Sequence, residues 1–82
     1  MKLVFVKCGE KFSRGGYSPS FSKTPKIWNL TDFKLHLSQK PDKFENFYKD
    51  CLIYIIEIDL SKKESDLKEY KYDEFINLFI KN

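Results

Sequence analysis

This sequence of 82 residues has few of the residue types that build catalytic and metal sites. It contains one histidine and two cysteines, and only one of its fifteen basic residues is an arginine. Cys8, Cys51 and His36 lack the spacing of a zinc site, so no metal is predicted. No apolar run approaches the roughly 20 residues of a membrane helix. These scarcities argue against an enzyme, a metalloprotein and a membrane-spanning protein, and we expect no cofactor.

The chain is long enough for one small domain, residues 1–82. Aromatic residues make up 17% of it, and large rings fill a small core economically. Cys8 and Cys51 would face each other if the first and last predicted strands pair antiparallel. In a cytoplasmic protein we nevertheless expect them to be reduced and to act as small buried side chains; a disulfide or a catalytic thiol is the alternative.

Hydrophobic periodicity predicts an α+β fold, a small antiparallel sheet with two or three short helices on one face. Apolar residues on both faces of residues 2–8 predict a strand that is covered on both sides. Ser61 and Glu64 resemble a capping box and predict a short helical turn in the polar segment 61–71. The predicted strands are 2–8, 11–13 or 26–28, and 51–60, and the predicted helices are 31–39, 42–49 and 73–81.

Charge is distributed unevenly along the chain. Residues 1–49 carry a formal charge of +6 and residues 50–82 a charge of −3. A basic half attracts phosphates or acidic partners, which makes a nucleic-acid-binding module one hypothesis. Because only Arg14 is an arginine, sequence-specific base reading is disfavoured relative to loose backbone binding. A solvated lysine-rich face is the plainer interpretation.

The clearest loop lies between Phe12 and Phe21 and is the main candidate binding site. Its glycines let backbone amides approach an anion, its arginine can bind a phosphate, and its aromatic residues can stack on a base. The next helix, capped by Asn29 or Thr31, adds free amides at its N-terminus. The alternative is an ordinary turn whose rings fill the core. The candidate ligand-binding residues are Lys11, Arg14, Gly15, Gly16, Tyr17, Lys26, Trp28 and His36.

The same segment resembles a family of small phage and prophage proteins. These proteins have a loop with phenylalanine, Gly-Gly and proline, then a lysine–aliphatic–tryptophan strand, a short helix ending in histidine–leucine and a tyrosine–cysteine–aliphatic strand. Here the pattern falls on residues 12–21, 26–28, 35–37 and 48–54, with departures at Pro25 and Asp32. The family has no settled function, and the resemblance implies an origin in a mobile element. Because small phage proteins often act on the host, including as inhibitors of its immunity, we expect an anti-defence role.

Three functions follow as hypotheses. The first is a non-enzymatic accessory protein in the host cytoplasm that binds a host defence protein or sequesters a phosphorylated nucleotide. The second is the nucleic-acid-binding module, and the third is a hydrolase using His36 with Glu57 or Asp59. Homo-oligomerisation is also expected, because a second subunit can cover an exposed sheet edge or aromatic surface.

Overall fold

The computed structural model describes residues 1–14 and 20–81. In this part of the chain, an antiparallel sheet of six strands packs against helices on one of its faces, so the predicted α+β class is confirmed. The strands are β1 (Lys2–Cys8), β2 (Lys11–Ser13), β3 (Phe21–Ser22), β4 (Trp28–Asn29), β5 (Leu52–Asp59) and β6 (Glu64–Lys71). The helices are α1 (Leu30–Gln39), α2 (Pro41–Tyr48) and α3 (Tyr72–Phe75), which continues into a π-helical turn (Ile76–Ile80).

The strand order is β3-β2-β1-β5-β6, and β4 also pairs with β1. The centre of the sheet is the antiparallel pair β1 and β5, in which Lys2 lies opposite Glu57 and Lys7 opposite Leu52. Gly9 has a φ of +66° and makes the tight turn from β1 to β2, a conformation that glycine adopts without steric cost. Of the two segments considered for the second strand, 11–13 forms β2, whereas 26–28 overlaps the two-residue strand β4 only at Trp28. Strands β2 and β4 pair with opposite ends of β1.

The hydrophobic core lies between the helices and one face of the sheet, and most of its members are aromatic or β-branched. The sheet contributes alternate residues of β1 and β5, as the period of two along a strand requires. Phe33 and Leu37 project from α1 at helical spacing. The other buried hydrophobic residues are Val4, Val6, Phe44, Tyr48, Cys51, Ile53, Ile55, Tyr72 and Phe75.

One polar contact is buried in this core. The hydroxyl groups of Ser13 and Tyr48 lie 2.9 Å apart and share a hydrogen bond. The two side chains are 2% and 0% exposed, so each hydroxyl depends on a protein partner to offset its loss of water. Burial raises the pKa of Tyr48, and the bond to Ser13 opposes that shift. This contact ties α2 to the short strand β2.

Cys8 and Cys51 form a disulfide with Cα atoms 4.4 Å apart, so the prediction of reduced thiols was wrong. The register explains the pairing: Lys7 lies opposite Leu52, and the next pair along the two strands is Cys8 and Cys51. Directly opposed residues in an antiparallel pair bring their Cα atoms to about 4.5–5.5 Å. The antiparallel pairing that was foreseen therefore also sets the bonding distance.

The polar segment after β5 also departs from the prediction. Ser61 does not cap a helix; its amide and hydroxyl both donate to the carboxylate of Asp59, at 3.0 and 2.6 Å. These bonds, Ser61 first, lower the pKa of Asp59. They shape a turn that includes Lys63 at a φ of +54°. The chain then returns as β6, an eight-residue strand at the edge of the sheet.

None of the helices within residues 1–14 and 20–81 has the length and apolar character needed to cross a bilayer.

Candidate functional site

Three of the predicted ligand-binding residues meet in one aromatic stack. Strand β4 places Trp28 opposite Val4, at the start of α1. The ammonium group of Lys26 lies 4.0 Å from the centre of the indole ring, a cation–π contact. The His36 ring stacks on the same indole at 4.6 Å and contacts Phe44 at 4.3 Å. Lys26, Trp28 and His36 therefore converge.

The surroundings of His36 disfavour its protonated form. Burial, and then the charge of Lys26, lower its pKa. Its Nε2 atom is buried and has no hydrogen-bond partner among the described residues. A general base needs a reachable substrate proton and an orienting partner, whereas this ring packs between two other aromatic rings. The described contacts are those of an aromatic packing residue.

An open cleft with a volume of about 460 Å³ lies beside the stack. The cleft is lined by charges of opposite sign, the ammonium group of Lys26 and the carboxylate of Asp32. The Asn29 side chain already caps α1: its oxygen accepts from the Asp32 amide at 2.7 Å, and its nitrogen donates to the carboxylate at 2.8 Å. The helix N-terminus proposed for a phosphate thus holds its own acidic residue. The lining residues are Lys26, Ile27, Trp28, Asn29, Asp32, Leu35, His36 and Gln39.

Two other predicted residues that the structure describes, Lys11 and Arg14, do not line this cleft. Arg14 donates from Nη1 to the Thr24 carbonyl and hydroxyl, each at 3.3 Å, and to the Pro25 carbonyl at 3.1 Å. It therefore fixes the segment that leads into β4. Lys11 begins β2 opposite Cys8. Gly15, Gly16 and Tyr17 lie outside the described residues, so the anion-binding function of their loop stays a prediction.

The face of the sheet opposite the helices carries three aromatic rings. Phe5 and Tyr54 lie opposite each other on β1 and β5, and their rings stack at 4.9 Å with an interplanar angle of 9°. Phe12 contacts Phe5 edge to face at 5.8 Å. The Tyr54 hydroxyl donates to Glu69 at 3.0 Å. We call this side of the sheet the outer face.

Aliphatic residues extend these rings across three strands. Leu3, Ile56 and Leu67 lie side by side on β1, β5 and β6, and Leu67 is 57% exposed. Lys7 and Lys71 lie beyond the rings at one end of the same face. The apolar members of the outer face are Leu3, Phe5, Phe12, Leu52, Tyr54, Ile56, Ile58 and Leu67.

Sequence reasoning missed the outer face as a candidate site. Its two-sided apolar pattern predicted that β1 is covered on both sides, but the described helices pack on one side only, and Phe5 and Tyr54 are partly buried rather than fully covered. The signal was nevertheless in the sequence. The predicted helices were all assigned to one face of the sheet, which leaves the apolar residues of the other face without a covering layer.

The structure also bears on the hydrolase hypothesis and on the prediction that no metal is bound. The carboxylate of Asp59 is bound in the turn before β6, and His36 is packed in the aromatic stack on the helix side. Within residues 1–14 and 20–81, no group of three or more histidine, cysteine, aspartate or glutamate side chains is placed to hold a metal ion.

Comparisons with known proteins give no family for this chain. No protein-family model matches it, no curated protein is significantly similar in sequence, and no solved structure is significantly similar in fold.

Proposed function

We propose that this protein is a small non-enzymatic binding protein that docks a partner protein on its outer face and acts by occupying that partner's surface. The resemblance to phage proteins supplies the setting: an accessory protein in the host cytoplasm that blocks a host defence protein. The observation that carries the proposal is the uncovered aromatic and aliphatic face of the sheet.

The composition of the outer face fits a protein interface. Interface cores are enriched in aromatic residues and surrounded by a polar rim, and extended exposed apolar patches mark such sites. Here Phe5, Phe12 and Tyr54 form the centre, while Lys7 and Lys71 lie at one end. The partner surface that fits is apolar at its centre and acidic beside the two lysines.

The cleft beside Trp28 gives less support to capture of a phosphorylated nucleotide. A phosphate bound beside Lys26 in this cleft would also be repelled by the Asp32 carboxylate, which lines the same cleft. Arg14, which was expected to bind the phosphate, already donates to the loop carbonyls of Thr24 and Pro25. Of the two modes of inhibition, the contacts favour protein binding.

Matched substitutions on the two surfaces test the proposal. Ile56→Lys places a charge in the outer face, and Leu35→Lys makes the same change on α1, where Leu35 is 60% exposed. Once a host partner has been isolated, its affinity for each variant is measured by calorimetry, with urea unfolding to confirm that each variant folds. Ile56→Lys should weaken binding at least about 30-fold, because it puts a charge beside the aromatic centre of the interface, and Leu35→Lys should leave it unchanged. If Leu35→Lys weakened binding and Ile56→Lys did not, the interface would lie at the cleft beside Trp28 instead.

A second candidate is supported by one feature of the same face. Three aromatic rings beside two lysines resemble the stacking platforms that bind single-stranded nucleic acid. Fluorescence anisotropy with a labelled oligothymidylate should then show binding at low salt. If Lys7 and Lys71 make the phosphate contacts, the slope of log K against log salt is about −1.4. No binding at low salt would eliminate this candidate.

A further inference from the structure

Strand β6 forms an open edge of the sheet. Its eight residues pair with β5 along their whole length, from Leu52 with Lys71 to Asp59 with Glu64. No described strand lies on its other side. It contains neither proline nor glycine, and all its residues except Tyr70 are exposed. An edge strand of this length presents a row of amide and carbonyl groups that can pair with another strand.

Charges on an edge strand usually prevent such pairing, but the charges of β6 complement one another. In a symmetric antiparallel pair of β6 strands, a twofold axis relates the two copies. The helix-covered faces of the two sheets lie on the same side only when the same residue of each copy stands next to that axis. With the axis at Leu67, Asp66 of each copy lies opposite Lys68 of the other copy. The two Leu67 side chains then meet at the centre.

The neighbouring registers lack this complementarity. An axis at Asp66, Lys68 or Glu69 places two identical charges directly opposite each other, and like charges in that position destabilise a sheet. An axis at Leu67 pairs Glu64 with Tyr70 and Ser65 with Glu69, so it opposes no like charges within β6. Among these four registers, only the one centred on Leu67 opposes no like charges within β6; its Lys71 lies opposite Lys63, which is in the turn before β6.

The same register also gives Asp66 a neighbour of opposite charge. Asp66 lies opposite Glu57 of β5, so two acidic residues face each other across the ladder. In the register centred on Leu67, Lys68 of a second copy lies on the free side of Asp66. The acidic pair then has a cation on each side, because Lys2 of β1 already lies opposite Glu57.

We propose that two copies of this protein associate through β6, antiparallel and centred on Leu67, into one continuous sheet. The twofold axis is perpendicular to the sheet, so the helices of both copies lie on the same side. The two outer faces also join into one apolar surface, with the Leu67 side chains at the junction. This association is independent of the proposed partner protein.

A charge-swap series tests the association by sedimentation equilibrium. Concentrations up to about 1 mM are needed, because an interface this small lies at the weak end of specific contacts. Asp66→Lys should weaken association about tenfold, since the symmetry turns two attractive pairs into repulsive ones. Lys68→Asp should do the same, and the double variant should restore association. Glu10→Lys changes the net charge by the same amount as Asp66→Lys, but in the β1–β2 turn, and should have no effect on association.

The stability of the single chain separates this mechanism from simple unfolding. Asp66→Lys replaces the acidic pair with Glu57 by an opposite-charge pair, so it should stabilise the isolated chain in urea while it weakens association. A monomer at every concentration, or a double variant that associates no better than the single variants, would overturn the proposal.

Cysteine cross-linking tests the register. The two native cysteines are joined in a disulfide, so an introduced cysteine carries the reactive thiol. Leu67→Cys lies on the axis and should form a disulfide-linked dimer under mild oxidation. Ser65→Cys, on the same face of the same strand, has Glu69 of the second copy opposite it and should cross-link much more slowly. Equal rates for the two variants would refute pairing centred on Leu67.

Discussion

Removing the bond between Cys8 and Cys51 should destabilise the protein severely. The two cysteines are separated by 43 positions, and cross-linking a loop of that length lowers the entropy of the unfolded chain. The corresponding stabilisation is about 4 kcal/mol at 25 °C. A domain of this size has a total stability of only about 4–12 kcal/mol. The reduced protein is therefore expected to be close to its unfolding limit.

Urea unfolding followed by the fluorescence of Trp28, the single tryptophan, measures this effect. The comparison is between oxidised protein, reduced protein and the variant with both Cys8→Ala and Cys51→Ala. For a slope near 1 kcal/mol/M, the midpoint should fall by about 2–4 M urea on reduction. Reducing agent should not affect the double variant. A midpoint that is the same for oxidised and reduced protein would show that the loop-closure argument fails here.

The redox state of the two cysteines also tests the predicted location. Cytoplasmic thiols are kept reduced in most cells, so in a host cytoplasm Cys8 and Cys51 should be free and the protein correspondingly less stable. Alkylation of the protein inside intact cells, followed by mass spectrometry, reports the state of both residues. Fully alkylated cysteines are expected if the cytoplasmic prediction is correct, and an unmodified pair would contradict it.

Three further outcomes are expected. Tyr48→Phe should cost about 1 kcal/mol in urea unfolding because it removes the bond to Ser13, and the added cost of Ser13→Ala should then be smaller than in the parent protein. The pKa of His36 is lowered below 6.5 by burial and Lys26, so its contribution to stability is complete above about pH 6.5 and is lost as the pH falls through the lowered pKa. His36→Phe should remove that part of the pH dependence in unfolding measured between about pH 7.5 and 5. Burial, with smaller effects of Glu45 and Tyr48, raises the pKa of Tyr72 from 10.0 to about 12; stability should fall as pH rises through this range, and less so in Tyr72→Phe.

Much of the fold was predictable because β1 and β5 are long apolar segments and each helix has one apolar face. Alternation along 51–60 and helical spacing around Phe33 and Phe44 are local signals, and the turn at Gly9 is another. The edge strand β6 gave no such signal. Nearly all its residues are exposed, so no apolar period marks it, and its strand conformation depends on pairing with β5.

The candidate site was predictable only in part, for a related reason. Lys26, Trp28 and His36 are close in sequence, and β4 and α1 bring them together directly. The role of Arg14 depends on how the chain between β3 and β4 folds back, which residue types do not reveal. The state of the two cysteines likewise depends on a register between distant strands. Long-range geometry decided each of these points.

The pairing of β1 with β5 has a consequence for how the chain folds during synthesis. The strand that begins near residue 2 completes its longest ladder with a segment that starts at Leu52. A ribosome must therefore release about two thirds of the polypeptide before the central ladder can form, and closing so long a loop is slow. Until then the emerging Val4, Phe5 and Val6 have no β5 to pair with and are exposed to chaperones.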